Sequence, residues 1–179
     1  MQKTKTRDLT WIALCAALMA VCAWISIPGP VPFTLQTFGV FAAVGMLGGR
    51  RGSMAVLVYI LLGAVGAPVF AGFAGGPSVL LGATGGYILG FLGSALVMWA
   101  MERIPGPRRT MLLVRMLAGQ LVCYAFGTVW FVIVWSRQNG PIGFAAALAS
   151  CVIPFLVPDF IKILLALVIS DRVSPALRR

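Results

Sequence analysis

The sequence predicts an all-α integral membrane protein. It would have six transmembrane helices, a Gly-rich segment that is loop-rich or re-entrant, and a short outer helix before the last span. Three observations carry that expectation. Of 179 residues, 60% are hydrophobic and only 10% charged, with a mean hydropathy of +1.00. Soluble domains carry about 25% charged and about 45–50% apolar residues. The few charges are separated by uncharged stretches long enough to cross a bilayer, which takes about 20 apolar residues. Finally, nearly all basic residues fall on one side when the spans alternate.

The chain length suits a single membrane domain, residues 1–179. A net charge of +10 invites a nucleic-acid reading. Such a binder gathers its basic groups on one aqueous face, whereas here they punctuate apolar runs, so no nucleic acid is expected.

Leu9–Gly49 carries no charge. Pro28-Gly29-Pro30-Val31-Pro32 cannot continue a helix, so this run divides into spans 9–27 and 34–49. The basic start before Leu9 superficially resembles a signal peptide. No small-x-small cleavage site followed by a polar region exists, so 9–27 is read as a retained span. After Arg50-Arg51, Gly52–Met101 is again charge-free and holds two spans, 53–66 and 84–101, around the Gly- and Pro-dense stretch Gly66–Gly86. The short third span hints that part of this loop folds back into the membrane. A polar turn, Glu102–Arg109, precedes the fifth span at 110–136.

The last apolar stretch runs to Ser170, is broken by Pro154 and Pro158, and carries Asp159 and Lys162. The positive-inside rule decides that it crosses once. Lys3, Lys5, Arg7, Arg50, Arg51, Arg103, Arg108, Arg109, Arg115, Arg172, Arg178 and Arg179 then lie inside. Arg137 alone lies outside, and Lys162 lies within the membrane. Ile142–Ile153 becomes the short outer helix and 155–171 the sixth span. Both termini are cytoplasmic, on a multi-pass protein of the plasma (inner) membrane.

Between lipid-embedded helices, small residues permit close approach. Gly82, Gly86, Gly90 and Ser94 recur every fourth residue, as do Gly45 and Gly49, and both patterns read as internal packing. The first span has Ala13/Ala17 and Ala16/Ala20. On a terminal helix, such a stripe suits contact with another membrane protein.

The chain has no His, and Cys15, Cys22, Cys123 and Cys151 form no C-x-x-C, so neither a metal nor a cofactor is expected. The segment Gly72–Tyr87 lacks the Gly-Lys-Ser/Thr ending of a phosphate-binding loop. It reads instead as non-helical backbone at membrane depth, tolerated where it lines a cavity. Phe70, Phe73 and Tyr87 would flank a small ligand there.

Asp159 and Lys162 are three residues apart and share a helix face. An ionisable side chain in the membrane costs about 2.5–3.5 kcal/mol on insertion scales and is read as functional by default. The pair is either a structural ion pair or a polar ligand site. As a site, it suits a small molecule bearing N–H together with C=O or carboxylate groups.

Three motifs now stand in order: Val31-Pro-Phe-Thr-Leu-Gln-Thr37, Gly82-Ala-Thr-Gly-Gly-Tyr87, and the Pro-Asp-x-x-Lys ending at Lys162. Over nearly the whole chain this resembles the biotin transporter S components, the BioY family of energy-coupling-factor (ECF) transporters. Ala83 stands where the family often has Pro, and Val157-Pro158 where it often has Pro-Gly. Both departures leave the polar groups in place.

The resemblance implies a non-enzymatic S component that captures biotin from outside. A membrane T component and two cytosolic ATPases would energise uptake, and a homo-oligomer is the option for the chain alone. It also implies a substrate site at Asp159, Lys162, Gly75, Gly76, Thr84, Gly85, Gly86 and Tyr87. A gating loop would contain Pro32, Phe33, Thr34 and Gln36, and the T-component face would contain Ala13 and Ala17. The competing expectations are an S component for another vitamin, a membrane enzyme, or a scaffold.

Overall fold

The computed structural model describes residues 2–29 and 31–177. Pro30, Arg178 and Arg179, which enter the sequence reading, lie outside the described residues, as do the side chains of Lys3 and Lys5.

Helix α1 (Gln2–Trp24) leads into a two-residue antiparallel ribbon, β1 (Ser26–Ile27) with β2 (Phe33–Thr34), in register Ser26↔Thr34. Next come α2 (Gln36–Leu47) and α3 (Gly49–Ala64), separated only by Gly48 at φ +82°. A loop with a short α4 (Pro77–Leu81) precedes α5 (Gly85–Ala100). Then follow α6 (Arg108–Asn139), α7 (Phe144–Cys151) and α8 (Leu156–Leu177).

Several boundaries differ from the sequence expectation for physical reasons. Helix α3 starts at Gly49 rather than 53, directly after the break at Gly48 (φ +82°), and Arg51 in its first turn reaches Asp8 at 2.9 Å. Helix α6 is longer than 110–136, running from Pro107 to the left-handed Gly140 (φ +92°) that ends it. Helix α8 begins before Pro158, which is tolerated in the first turn because that N–H lacks an intrahelical partner anyway.

The small-residue stripes also resolve. Gly82 precedes α5, so only Gly86, Gly90 and Ser94 share its face, and that face packs on α6. The Ser94 hydroxyl donates to the Gly119 carbonyl across the interface at 2.6 Å. Gly45 and Gly49 lie on different helices and meet different partners, Ser170 and Trp99.

Helix α2 packs along α8, while α1, α2 and α3 pack mutually and α3 also meets α5. On α8, Asp159, Lys162, Ile163, Ala166, Leu167, Ser170 and Ser174 are buried at helical spacing. The opposite face, with Phe160, Ile161, Leu164, Leu165 and Val168, is exposed. A helix that buries its charges and exposes its aliphatics is built for lipid, not water. Among the described residues, four helical segments are long and apolar enough to cross a membrane: Thr6–Trp24, Gly85–Arg103, Arg108–Asn139 and Phe144–Pro175. The chain is a predominantly helical membrane protein.

The two ends of the bundle differ. At one end Arg51 pairs with Asp8, Arg109 with Asp171 at 3.5 Å, and Arg108 with Ser174. There the Glu102 carboxylate accepts the Gly49 N–H at 2.6 Å. The other end is held by aromatics. Trp24 stacks on Phe73 and donates to the Pro68 carbonyl at 2.9 Å, and Phe33 stacks on Phe155.

Candidate functional site

At the aromatic end, the first turns of α2, α5 and α8 converge on the middle of α6 and enclose a cavity of about 250 Å³. Its wall is mostly apolar, with Phe70, Ile88, Phe91 and Phe155 among the lining residues. One corner is polar, and Asp159 is its centre.

The Asp159 carboxylate is 4% exposed and receives donors from three helices. Its Oδ1 accepts Lys162 Nζ at 2.7 Å and the Thr37 hydroxyl at 3.2 Å. Its Oδ2 accepts Gln120 Nε2 at 3.0 Å and the Tyr124 hydroxyl at 2.6 Å. Burying an ion pair costs several kcal/mol per ion, offset only by good geometry and further hydrogen bonds. These four donors supply that compensation. Lys162, also 4% exposed, lies 4.1 Å from the centre of the Phe33 ring, where the ring face attracts the cation.

The Val31–Thr37 segment forms one side of the cavity. The Thr34 hydroxyl caps the Gln36 N–H at 3.1 Å, and Gln36 donates to the Tyr59 hydroxyl. Tyr59 in turn donates to the Val69 carbonyl at 3.0 Å and meets the Phe70 ring edge-on. This chain of contacts ties the segment to α3 and the following loop.

Of the residues the sequence singles out, Pro32, Thr34, Gln36, Phe70, Thr84, Tyr87, Asp159 and Lys162 line this one cavity, whereas Phe73 is exposed and stacks on Trp24. Phe33 sits over Lys162 instead. Gly75, Gly76, Gly85 and Gly86 are not brought to the lining. A Cβ on Gly85 would strike the Leu80 carbonyl, and one on Gly86 would strike Trp130, so both serve close packing. Ala13 and Ala17 lie far from this corner on the exposed face of α1, whereas Ala16 and Ala20 are buried.

Sequence reasoning missed Gln120 and Tyr124 as site residues, and placed Thr37 only at the end of the Val31–Thr37 motif. A signal existed for the first two. Gln120 is a lone amide in the charge-free run Met116–Ser136, and Tyr124 follows it by one helical turn. The geometry can hold a small, largely apolar molecule that offers N–H and C=O groups to the Asp159 corner.

The comparisons point the same way. The BioY family model matches residues 1–179. A probable biotin transporter BioY of Pyrococcus horikoshii is 38% identical over 171 residues, covering 95% of this chain and 98% of that protein. The biotin transporter BioY of Thermotoga maritima is 41% identical over 171 residues, covering 94% and 96%. A crystal structure of the S-component for biotin from an ECF-type ABC transporter superposes with a TM-score of 0.85 at 27% identity, covering 97% of this chain and 93% of that one. This chain belongs to the BioY family.

Proposed function

We propose that the chain captures biotin and serves its uptake as the S component of an ECF-type transporter in the plasma membrane. The observation that carries this reading is the buried Asp159–Lys162 corner in an otherwise apolar cavity. Biotin has matching parts: a cyclic urea with two N–H groups and one carbonyl, an apolar thiolane, and a tail ending in carboxylate. Small-molecule sites commonly combine such an apolar wall with a few convergent polar groups. The Lys162 ammonium keeps donors beyond the one given to Asp159, for the urea carbonyl or the tail carboxylate. Thr84 and Tyr87 contribute wall, the neighbouring glycines 75, 85 and 86 set its shape by close packing, and Gly76 does so through its positive φ of +95°.

The Val31–Thr37 segment is the gate: Pro32, Phe33, Thr34 and Gln36 would part from Phe155 and Lys162 to admit ligand. Equilibrium binding of radiolabelled biotin to the purified chain tests the reading. Stoichiometric, saturable binding supports it; no binding at micromolar ligand defeats it.

The single domain would cross the membrane six times, by α1, α2, α3, α5, α6 and α8, with both termini cytoplasmic. The support is the gathering of charge at one end of the bundle through Asp8, Arg51, Glu102, Arg108 and Arg109. Alkaline-phosphatase fusions after Arg179 should be inactive, and fusions within 67–83 active. An active C-terminal fusion would overturn the topology.

Energy would come from a membrane T component and two cytosolic ATPases. The exposed Ala13/Ala17 stripe fits the T component, since its twin, Ala16/Ala20, is already used inside the bundle. Replacing Ala13 and Ala17 with Leu should reduce co-purification with a T component at least fivefold while biotin binding persists. Wild-type recovery of the partner would return that face to lipid.

A further inference from the structure

The Asp159 carboxylate has no acceptor site to spare. An ionised carboxylate offers about four lone-pair sites. Lys162 and Thr37 occupy those of Oδ1, and Gln120 and Tyr124 occupy those of Oδ2. A ligand N–H directed at Asp159 would have to evict one of them. Thr37 and Tyr124 are hydroxyls that each keep acceptor lone pairs after donating to Asp159, and of the two Tyr124 makes the shorter bond, 2.6 Å against 3.2 Å. Its phenol gives its single hydrogen to Asp159, so the phenol oxygen keeps its own lone pairs. Tyr124 is partly buried and lines the cavity. The 2.6 Å bond to a carboxylate is of the short, charge-assisted kind, and it polarises the phenol oxygen towards stronger acceptance. A further neutral acceptor in this corner, Gln120 Oε1, is buried and has no hydrogen-bond partner among the described residues.

We infer that Tyr124 is the ligand-contacting acceptor of this corner: a urea N–H donates to the Tyr124 oxygen, which donates to Asp159. This rests on the biotin reading above. The carboxylate thus acts through the phenol, and the four-donor cluster stays intact when ligand binds. The sequence between Asp159 and the ligand is then N–H to O–H to carboxylate, with no proton transferred.

Tyr124→Phe decides between this relay and direct acceptance by Asp159, because the two predict opposite signs. The relay loses its acceptor, so biotin affinity falls tenfold or more. Direct acceptance gains a vacated site on Oδ2, so affinity is unchanged or rises, and that result overturns the inference. Where the Phe variant does not fold, para-aminophenylalanine at 124 retains a donor to Asp159 but is a poor acceptor. The relay again predicts a tenfold loss, and unchanged affinity overturns it. Biotin methylated at the responsible urea nitrogen supplies the ligand arm. Wild type should bind that isomer weakly, and Tyr124→Phe should weaken it no further; an equal further loss with both methyl isomers would assign Tyr124 a merely structural role. Wild type that binds no biotin at all defeats the underlying functional reading, whereas normal binding by both variants defeats only the relay.

Discussion

Asp159→Asn is expected to weaken biotin binding by a hundredfold or more, and Lys162→Ala by tenfold or more. A hydrogen bond to a charged group is worth about 1.5–3 kcal/mol, and about 1.4 kcal/mol is tenfold in affinity. Lys162→Ala removes one such donor and leaves Asp159 with Thr37, Gln120 and Tyr124. Asp159→Asn does more damage. Four donors converge on the carboxylate, and an amide has one oxygen to receive them while its NH₂ faces two of them head-on. Each single variant also strands a buried group, a loss of about 3–5 kcal/mol for a broken buried pair. Both should therefore melt lower as well as bind more weakly. Equilibrium binding and melting temperature in detergent read the two effects separately. Wild-type affinity in either single variant would remove that side chain from the site.

The second large effect is on folding. Gly86→Ala should lower the melting temperature by about 2–12 °C, whereas Gly143→Ala should leave it within about 1 °C. A methyl at Gly86 runs into the Cβ of Trp130, which is fixed to the α6 backbone and held by its indole N–H donating to the Gly82 carbonyl at 3.0 Å. Neither group can swing away, so α5 and α6 must separate. Overpacking of this kind costs about 1–3 kcal/mol, and each kcal/mol shifts the melting point by about 2–4 °C at this chain length. Gly143 has nothing within 4 Å of a new Cβ and an ordinary φ of −69°, so it controls for the substitution itself. Equal melting points for the two variants would contradict the packing described for Gly86.

Helix positions were legible because charge is so scarce in this chain. Arg50-Arg51 and Glu102–Arg109 flag breaks that the structure places at Gly48, just before Arg50, and at 101–107. The same rule clipped α6, because it treats the first charged or Pro residue as an end, and Arg108, Arg109 and Arg137 are helical. Asp159 and Lys162 were legible as a pair because their spacing of three needs no tertiary information. Their partners were not. Thr37 is 122 residues from Asp159 in sequence and Gln120 is 39, so only the packing of α2, α6 and α8 brings them together. Gly85 and Gly86 show the complementary ambiguity. Glycine permits close approach, but whether a ligand or a tryptophan approaches is decided by the neighbouring helix.

The central claim is that the buried Asp159–Lys162 pair exists to hold ligand rather than merely to neutralise itself. The doubly neutral variant, Asp159→Asn with Lys162→Ala, separates these directly. It removes both charges together, so neither is left stranded in the membrane. Its affinity for radiolabelled biotin should be measured in detergent with the melting temperature alongside. A melting point near wild type with biotin affinity lost by a hundredfold or more is the expected result. A melting point near wild type with wild-type affinity would make the pair structural and contradict the account.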